Sequence, residues 1–163
     1  MSLERQRNGG FPAHRPACFP GVLEGGAPQA LPYVANALLA ARVGNLNLIR
    51  VSSVLPQDAT VLEEAPQITP GSLVPTVYSV HVSARPGDIV AAAVGIGVAE
   101  GSHGMIYESH GASLGEVEAT VRQMIDEGFA RRGLHLKEVI VRSIEHKVER
   151  IGCAVAAVVL WWR

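Results

Sequence analysis

Leu73-Val-Pro-Thr-Val-Tyr-Ser-Val-His-Val-Ser-Ala84, Arg85-Pro-Gly-Asp88 and Ile89-Val-Ala-Ala-Ala-Val-Gly-Ile-Gly-Val-Ala99 run consecutively, and their reading sets the fold. β-Branched residues crowd both flanks, while Pro-Gly between them supplies one fixed and one permissive φ for a tight turn. The pattern predicts a hairpin of two long strands, 73–84 and 89–99, followed by a shorter strand at Gly104–Ser109. Upstream, Asn47-Leu-Ile-Arg-Val-Ser-Ser-Val-Leu-Pro56 predicts a strand stopped by Pro56. Gln57 to Gly71 reads as loop. A helix is expected over Val34–Arg42, with Gly44 placed to turn the chain through positive φ.

Downstream, Ser113-Leu-Gly-Glu116 has the form of a capping box. Val117, Val121, Met124, Ile125, Gly128 and Phe129 then recur at helical spacing, and Arg131-Arg-Gly133 closes the helix. Two last strands are expected at Leu134–Glu145 and Cys153–Trp161. Consecutive strands outnumber β–α alternations, so the expected class is α+β, a largely antiparallel layered sandwich packed by helices. Residues 1–18 read as a flexible tail, and 19–163 as a single domain.

Composition narrows the function. The 163 residues carry 14 Lys+Arg against 15 Asp+Glu, a net charge of −1, and aromatic residues are only 5%. No basic excess is present to neutralise a nucleic-acid backbone or to hold an anionic membrane. The longest apolar run, Cys153–Trp162, is half of the roughly 20 residues that a spanning helix needs. The N-terminus has no apolar signal segment, so a cytoplasmic location is expected. Cys18 and Cys153 form no C-x-x-C, and Cys153, inside an apolar run, reads as a buried hydrophobe.

Several motifs have plainer readings. Gly95-Ile-Gly97-Val-Ala-Glu-Gly101 resembles a dinucleotide loop but has Glu100 where the third glycine belongs, and it follows a hairpin. His103 and His110 are seven apart on a short strand and point to opposite faces, so no shared metal is expected. Glu63 and Glu64 read as a solvated edge, and no G-x-S-x-G elbow exists. Ser52-Ser53 would be turn formers on composition alone.

Their context changes that reading. Gly44-Asn-Leu-Asn-Leu-Ile-Arg-Val-Ser-Ser-Val-Leu-Pro56 resembles the cleavage segment of pyruvoyl-dependent arginine decarboxylases. The resemblance continues through Gly71-Ser-Leu-Val-Pro-Thr-Val-Tyr78, through Gly104-Met-Ile-Tyr-Glu108 with Gly111, and through Glu145 to Trp161. It implies an αββα sandwich, assembled as a trimer or a hexamer, with active sites between subunits. It also implies a chain that cuts itself between Ser52 and Ser53. The Ser53 hydroxyl attacks the Ser52 carbonyl, and β-elimination and hydrolysis then turn residue 53 into a pyruvoyl group. That ketone takes the α-amine of a small amino-acid substrate and serves as electron sink as CO₂ leaves. The implied reaction is arginine to agmatine, within polyamine biosynthesis or acid resistance. Ser53, Glu108 and Asn47 are the implied catalytic residues, with Glu108 as proton donor in an apolar setting near Met105, Ile106 and Tyr107. Asn47 is implied to bond the carbonyl or the scissile peptide. Gly44, Asn47 and Ser52 are implied to line the substrate.

One position departs from the family. Its members usually carry an Asp, expected to hold the guanidinium, where this chain has Ala35. Either Asp58, Glu63 or Glu64 replaces that carboxylate, or the substrate is another amino acid. An unprocessed scaffold subunit is the third reading. Intact Ser52, Ser53, Asn47 and Glu108 favour the enzyme.

Overall fold

The computed structural model describes residues 14–24, 30–62 and 66–162. Their order is β1 (His14–Glu24), α1 (Ala30–Ala40), β2 (Asn47–Arg50), β3 (Val54–Leu55), β4 (Leu73–Ser83) and β5 (Ile89–Ala99). There follow β6 (Gly104–Gly111), α2 (Leu114–Arg132), β7 (Leu136–Lys147) and β8 (Gly152–Trp162). Two four-stranded sheets, β1-β8-β4-β2 and β3-β6-β5-β7, lie face to face. Every pairing is antiparallel except that of β2 with β4.

The central strands explain their own sequences. On β5, Ala92, Val94 and Ile96 face the other sheet, where Ala154, Ala156 and Val158 of β8 meet them. The alternate residues Ala91 and Ala93 face α2, against Val117 and Val121. Alternate β8 residues Cys153 and Val155 face α1 around Ala37. Both strands are covered on two sides, so they read as unbroken apolar runs rather than as alternation. The layers are helix, sheet, sheet, helix, and the α+β sandwich expected from the sequence is the fold. Burial pushes the Cys153 thiol up to about 11, which leaves it a packing group.

The glycines that imitate a nucleotide loop serve packing. A Cβ on Gly97 would lie 2.6 Å from Phe129 Cε2, and one on Gly95 would lie 2.9 Å from Ile125 Cδ1. Their bare backbones let α2 close onto β5. Ser113 caps that helix, its hydroxyl accepting from the Glu116 N–H, and Gly133 ends it at φ 62°. No helix among the described residues is long and apolar enough to cross a membrane.

Four expectations need revision. Helix α1 starts at Ala30, earlier than Val34, because Pro32 falls in the first turn, where no N–H is required. Arg42, not Gly44, turns through positive φ (62°), with Val43 N–H bonded to Leu38 O and Arg42 N–H to Leu39 O. Gly44 is needed instead for close approach, since a Cβ there would sit 2.6 Å from Leu39 N. The expected tail of 1–18 ends sooner: His14 to Cys18 belong to β1, which pairs along the whole of β8 and satisfies that strand's outer edge. Residues 1–13 lie outside the described residues. Finally, the single strand expected over Asn47–Pro56 is split into β2 and β3.

Candidate active site

That split is the centre of the site. β2 is an edge strand of one sheet and β3 an edge strand of the other, so Val51-Ser52-Ser53 carries the chain across the rim of the sandwich. The Val51 N–H still reaches Thr76 O at 3.3 Å. Beyond it, Val54 N–H donates to Ser52 O at 2.9 Å, closing a three-residue turn centred on Ser53. Ile106 N–H donates to Ser53 O at 2.8 Å, and Val54 and Leu55 then pair with Met105 and Gly104. Ser52 is exposed and Ser53 half-buried.

Two residues beyond Ile106 on the same face of β6 stands Glu108, about 7 Å further along the strand. Ile106 is fully buried between the sheets, whereas Glu108 reaches the rim. The expected apolar setting is only partly there. Met105 and Tyr107 alternate to the other face, toward Ile125 and Phe129 of α2. The partner of Glu108 is Arg50, whose Nη2 lies 3.0 Å from Glu108 Oε1 and 2.9 Å from Tyr78 O. The guanidinium carbon stands 4.8 Å from the Tyr78 ring centroid, a cation–π contact. Sequence reasoning missed Arg50. The available signal was a lone charge inside an apolar strand, two residues before the serine pair.

Other sequence candidates lie elsewhere. Asn47 begins β2, five residues from Ser52 and so roughly 16 Å away along an extended chain. Its Nδ2 donates to Gly71 O at 2.7 Å, tying the start of β2 to the approach of β4. Within one chain it therefore touches neither serine, and the Ser52 carbonyl is served by Val54 instead. Gly44 belongs to the turn after α1. Ala35 is exposed on α1. Asp58, at φ 63°, lines a cleft of about 210 Å³ with Glu100 and Lys137, reached from the Gly104 end of β6 rather than from Glu108. Glu63 and Glu64 lie outside the described residues. His110 approaches His81 with ring centroids 5.5 Å apart, and His81 Nδ1 is 2.7 Å from Gly111 O. His103 precedes β6 beside Ser102. Among the described residues no group of three or more His, Cys, Asp and Glu side chains converges as a metal would need.

A hydroxyl directly following a carbonyl, in a peptide held at a sheet rim with a carboxyl on the neighbouring strand, fits the making of a ketone group from the chain itself. Comparison with known proteins gives the family. The family model described as pyruvoyl-dependent arginine decarboxylase matches residues 24–162. A protein of that name from Methanococcus maripaludis strain C6 is 42% identical over 143 residues, 85% of this chain and 86% of its own. Another from Methanocaldococcus jannaschii is 40% identical over 131 residues, 78% of this chain and 79% of its own. A third, from Pyrococcus horikoshii, is 45% identical over 130 residues, 77% and 82% respectively. With a match spanning nearly the whole sandwich, and with the serine pair at its rim, the chain belongs to the pyruvoyl-dependent arginine decarboxylase family.

Proposed function

We propose that this chain cuts itself between Ser52 and Ser53 and then converts arginine to agmatine and CO₂ with the pyruvoyl group made from Ser53. The observation that carries this reading is the Ser52–Ser53 peptide itself. It lies outside both ladders at the crossover, with its next carbonyl fixed to the strand that bears Glu108. When formed at residue 53, the pyruvoyl group supplies the electron sink for decarboxylation. Glu108 delivers a proton to the substrate α-carbon after CO₂ has left, and Arg50 sets where its carboxyl points.

Asn47 reaches the substrate from a neighbouring subunit, because within its own chain it stands too far from the serine pair. A homo-oligomer, trimer or hexamer, suits the rim: Ile49 (44% exposed), Val54 (45%) and Leu73 (64%) border it, and Leu39 of α1 is half exposed. Gly44 and Ser52 are both exposed and would face the substrate between subunits. The enzyme would work in the cytoplasm.

Intact-mass analysis tests the reading. Cutting after Ser52 leaves chains of 52 and 111 residues from the 163, the larger blocked at its N-terminus by pyruvoyl. Ser53→Ala should stay as one chain. A wild-type protein that keeps its full mass after prolonged warm incubation would overturn the proposal.

A further inference from the structure

We infer that two main-chain N–H groups of this chain, those of Val54 and Ile106, are the charge-stabilising donors for its self-cleavage, one for each step. The inference rests on the reading that the chain cuts between Ser52 and Ser53.

Each of the two peptide carbonyls that flank Ser53 accepts from one main-chain N–H. Val54 N–H lies 2.9 Å from Ser52 O, and Ile106 N–H lies 2.8 Å from Ser53 O. Non-glycine residues at positive φ are Arg42 and Asp58 among those described, so the turn at Ser53 is of the unstrained, inverse kind. Val54 N–H turns back to Ser52, and Ile106 N–H points at the crossover, one register position beyond the β3–β6 pairing.

The two carbonyls are the two places where negative charge develops. In the first step the Ser53 hydroxyl oxygen bonds to the Ser52 carbonyl carbon, and the carbonyl electron pair moves onto Ser52 O. As that pair returns, the bond from carbon to the Ser53 nitrogen breaks, and the hydroxyl proton ends on that nitrogen. Peptide has become ester. A donor at Ser52 O stabilises the tetrahedral oxyanion between them. In the second step the Ser53 α-proton passes to solvent water, charge spreads onto Ser53 O as an enolate, and the Cβ–O bond breaks. The Ser52 carboxylate departs with its electron pair and leaves dehydroalanine at position 53. A donor at Ser53 O stabilises that enolate. The sequence reading offered Asn47 for the scissile peptide as one of two alternatives, and its amide is committed to Gly71 in the chain. Val54 stands in its place.

Replacing Val54, or separately Ile106, by its α-hydroxy acid turns one N–H into an ester oxygen and leaves every side chain unchanged. Hydroxylamine added during maturation reports the intermediate by mass, because it cuts the Ser52–Ser53 ester to residues 1–52 ending in a hydroxamate, whereas the engineered ester of each variant breaks before residue 54 or 106 instead. Loss of the donor at 54 should slow cutting by about 10²-fold, the effect of removing one oxyanion donor, with none of the Ser52 hydroxamate species. Loss of the donor at 106 should also slow cutting, but with that species accumulating. If both variants cut within a few-fold of wild type, or both slow with the same species present, the assignment is overturned; the second result marks the bonds as merely structural. Failure of the wild-type chain to cut overturns the parent reading instead.

Discussion

Removing the cation of Arg50 while keeping its stem isolates the contact that joins the two halves of the site. In Arg50→Met three interactions disappear: the 3.0 Å ion pair with Glu108, the 2.9 Å bond to Tyr78 O and the stacking over the Tyr78 ring. The arginine side chain is 58% exposed and that of Glu108 25%, so solvent screens one partner far more than the other. Exposed pairs contribute about 0.2–1 kcal/mol, and the sheltered carboxylate places this one near the upper end. Exposed cation–π contacts add about 0.5–1 kcal/mol, and the carbonyl bond about 0.5 kcal/mol after the same screening. The expected loss for Arg50→Met is therefore about 2 kcal/mol, of which about 1 kcal/mol is specific to Glu108. A double-mutant cycle with Glu108→Gln measures that part. Urea unfolding in the uncut Ser53→Ala chain, at one fixed protein concentration, compares like species. At about 1 M salt, where the screening length is about 3 Å, the coupling should fall by half or more. A coupling inside the roughly 0.3–0.5 kcal/mol error of additivity would refute the reasoning. Under the proposed cut after Ser52, the pair would join two chains, with Arg50 on the 52-residue piece and Glu108 on the other.

Glu108→Gln should still be cut, yet its CO₂ release should drop by roughly 10²–10⁴-fold, the usual cost of losing a general acid; near-wild-type turnover in a fully cut variant would remove Glu108 from the mechanism. Processed wild type should release CO₂ from arginine faster than from ornithine, lysine or histidine, and Ala35→Asp should add little. A wild type that favours another amino acid, with Ala35→Asp moving it toward arginine, would reassign the substrate. Gly97→Ala forces a Cβ to within 2.6 Å of Phe129 Cε2 and should cost about 1–3 kcal/mol in urea unfolding. Adding Phe129→Leu should recover part of that loss, and no recovery would place the clash elsewhere.

Local pattern alone determined most of the elements. Strands β4 and β5 and helix α2 lie within a residue or two of their expected bounds, because turn chemistry, capping residues and apolar spacing act over a few positions. The serine pair was singled out as the proposed cleavage site through the sequence blocks that surround it. Tertiary structure decided what depends on partners distant in the chain. β1 exists through its pairing with β8, more than a hundred residues away, and nothing in its Pro- and Gly-containing sequence announces a strand. Gly95 and Gly97 imitate a nucleotide loop locally, and only the arrival of α2 shows why a side chain is forbidden there. The strand expected over Asn47–Pro56 breaks at the serines because its two ends pair with different sheets. Arg50 and Glu108, 58 residues apart, meet only when those sheets are stacked. Residue types fix which chemistry the chain can perform, but which groups share a site is set by long-range pairing, which no local window contains.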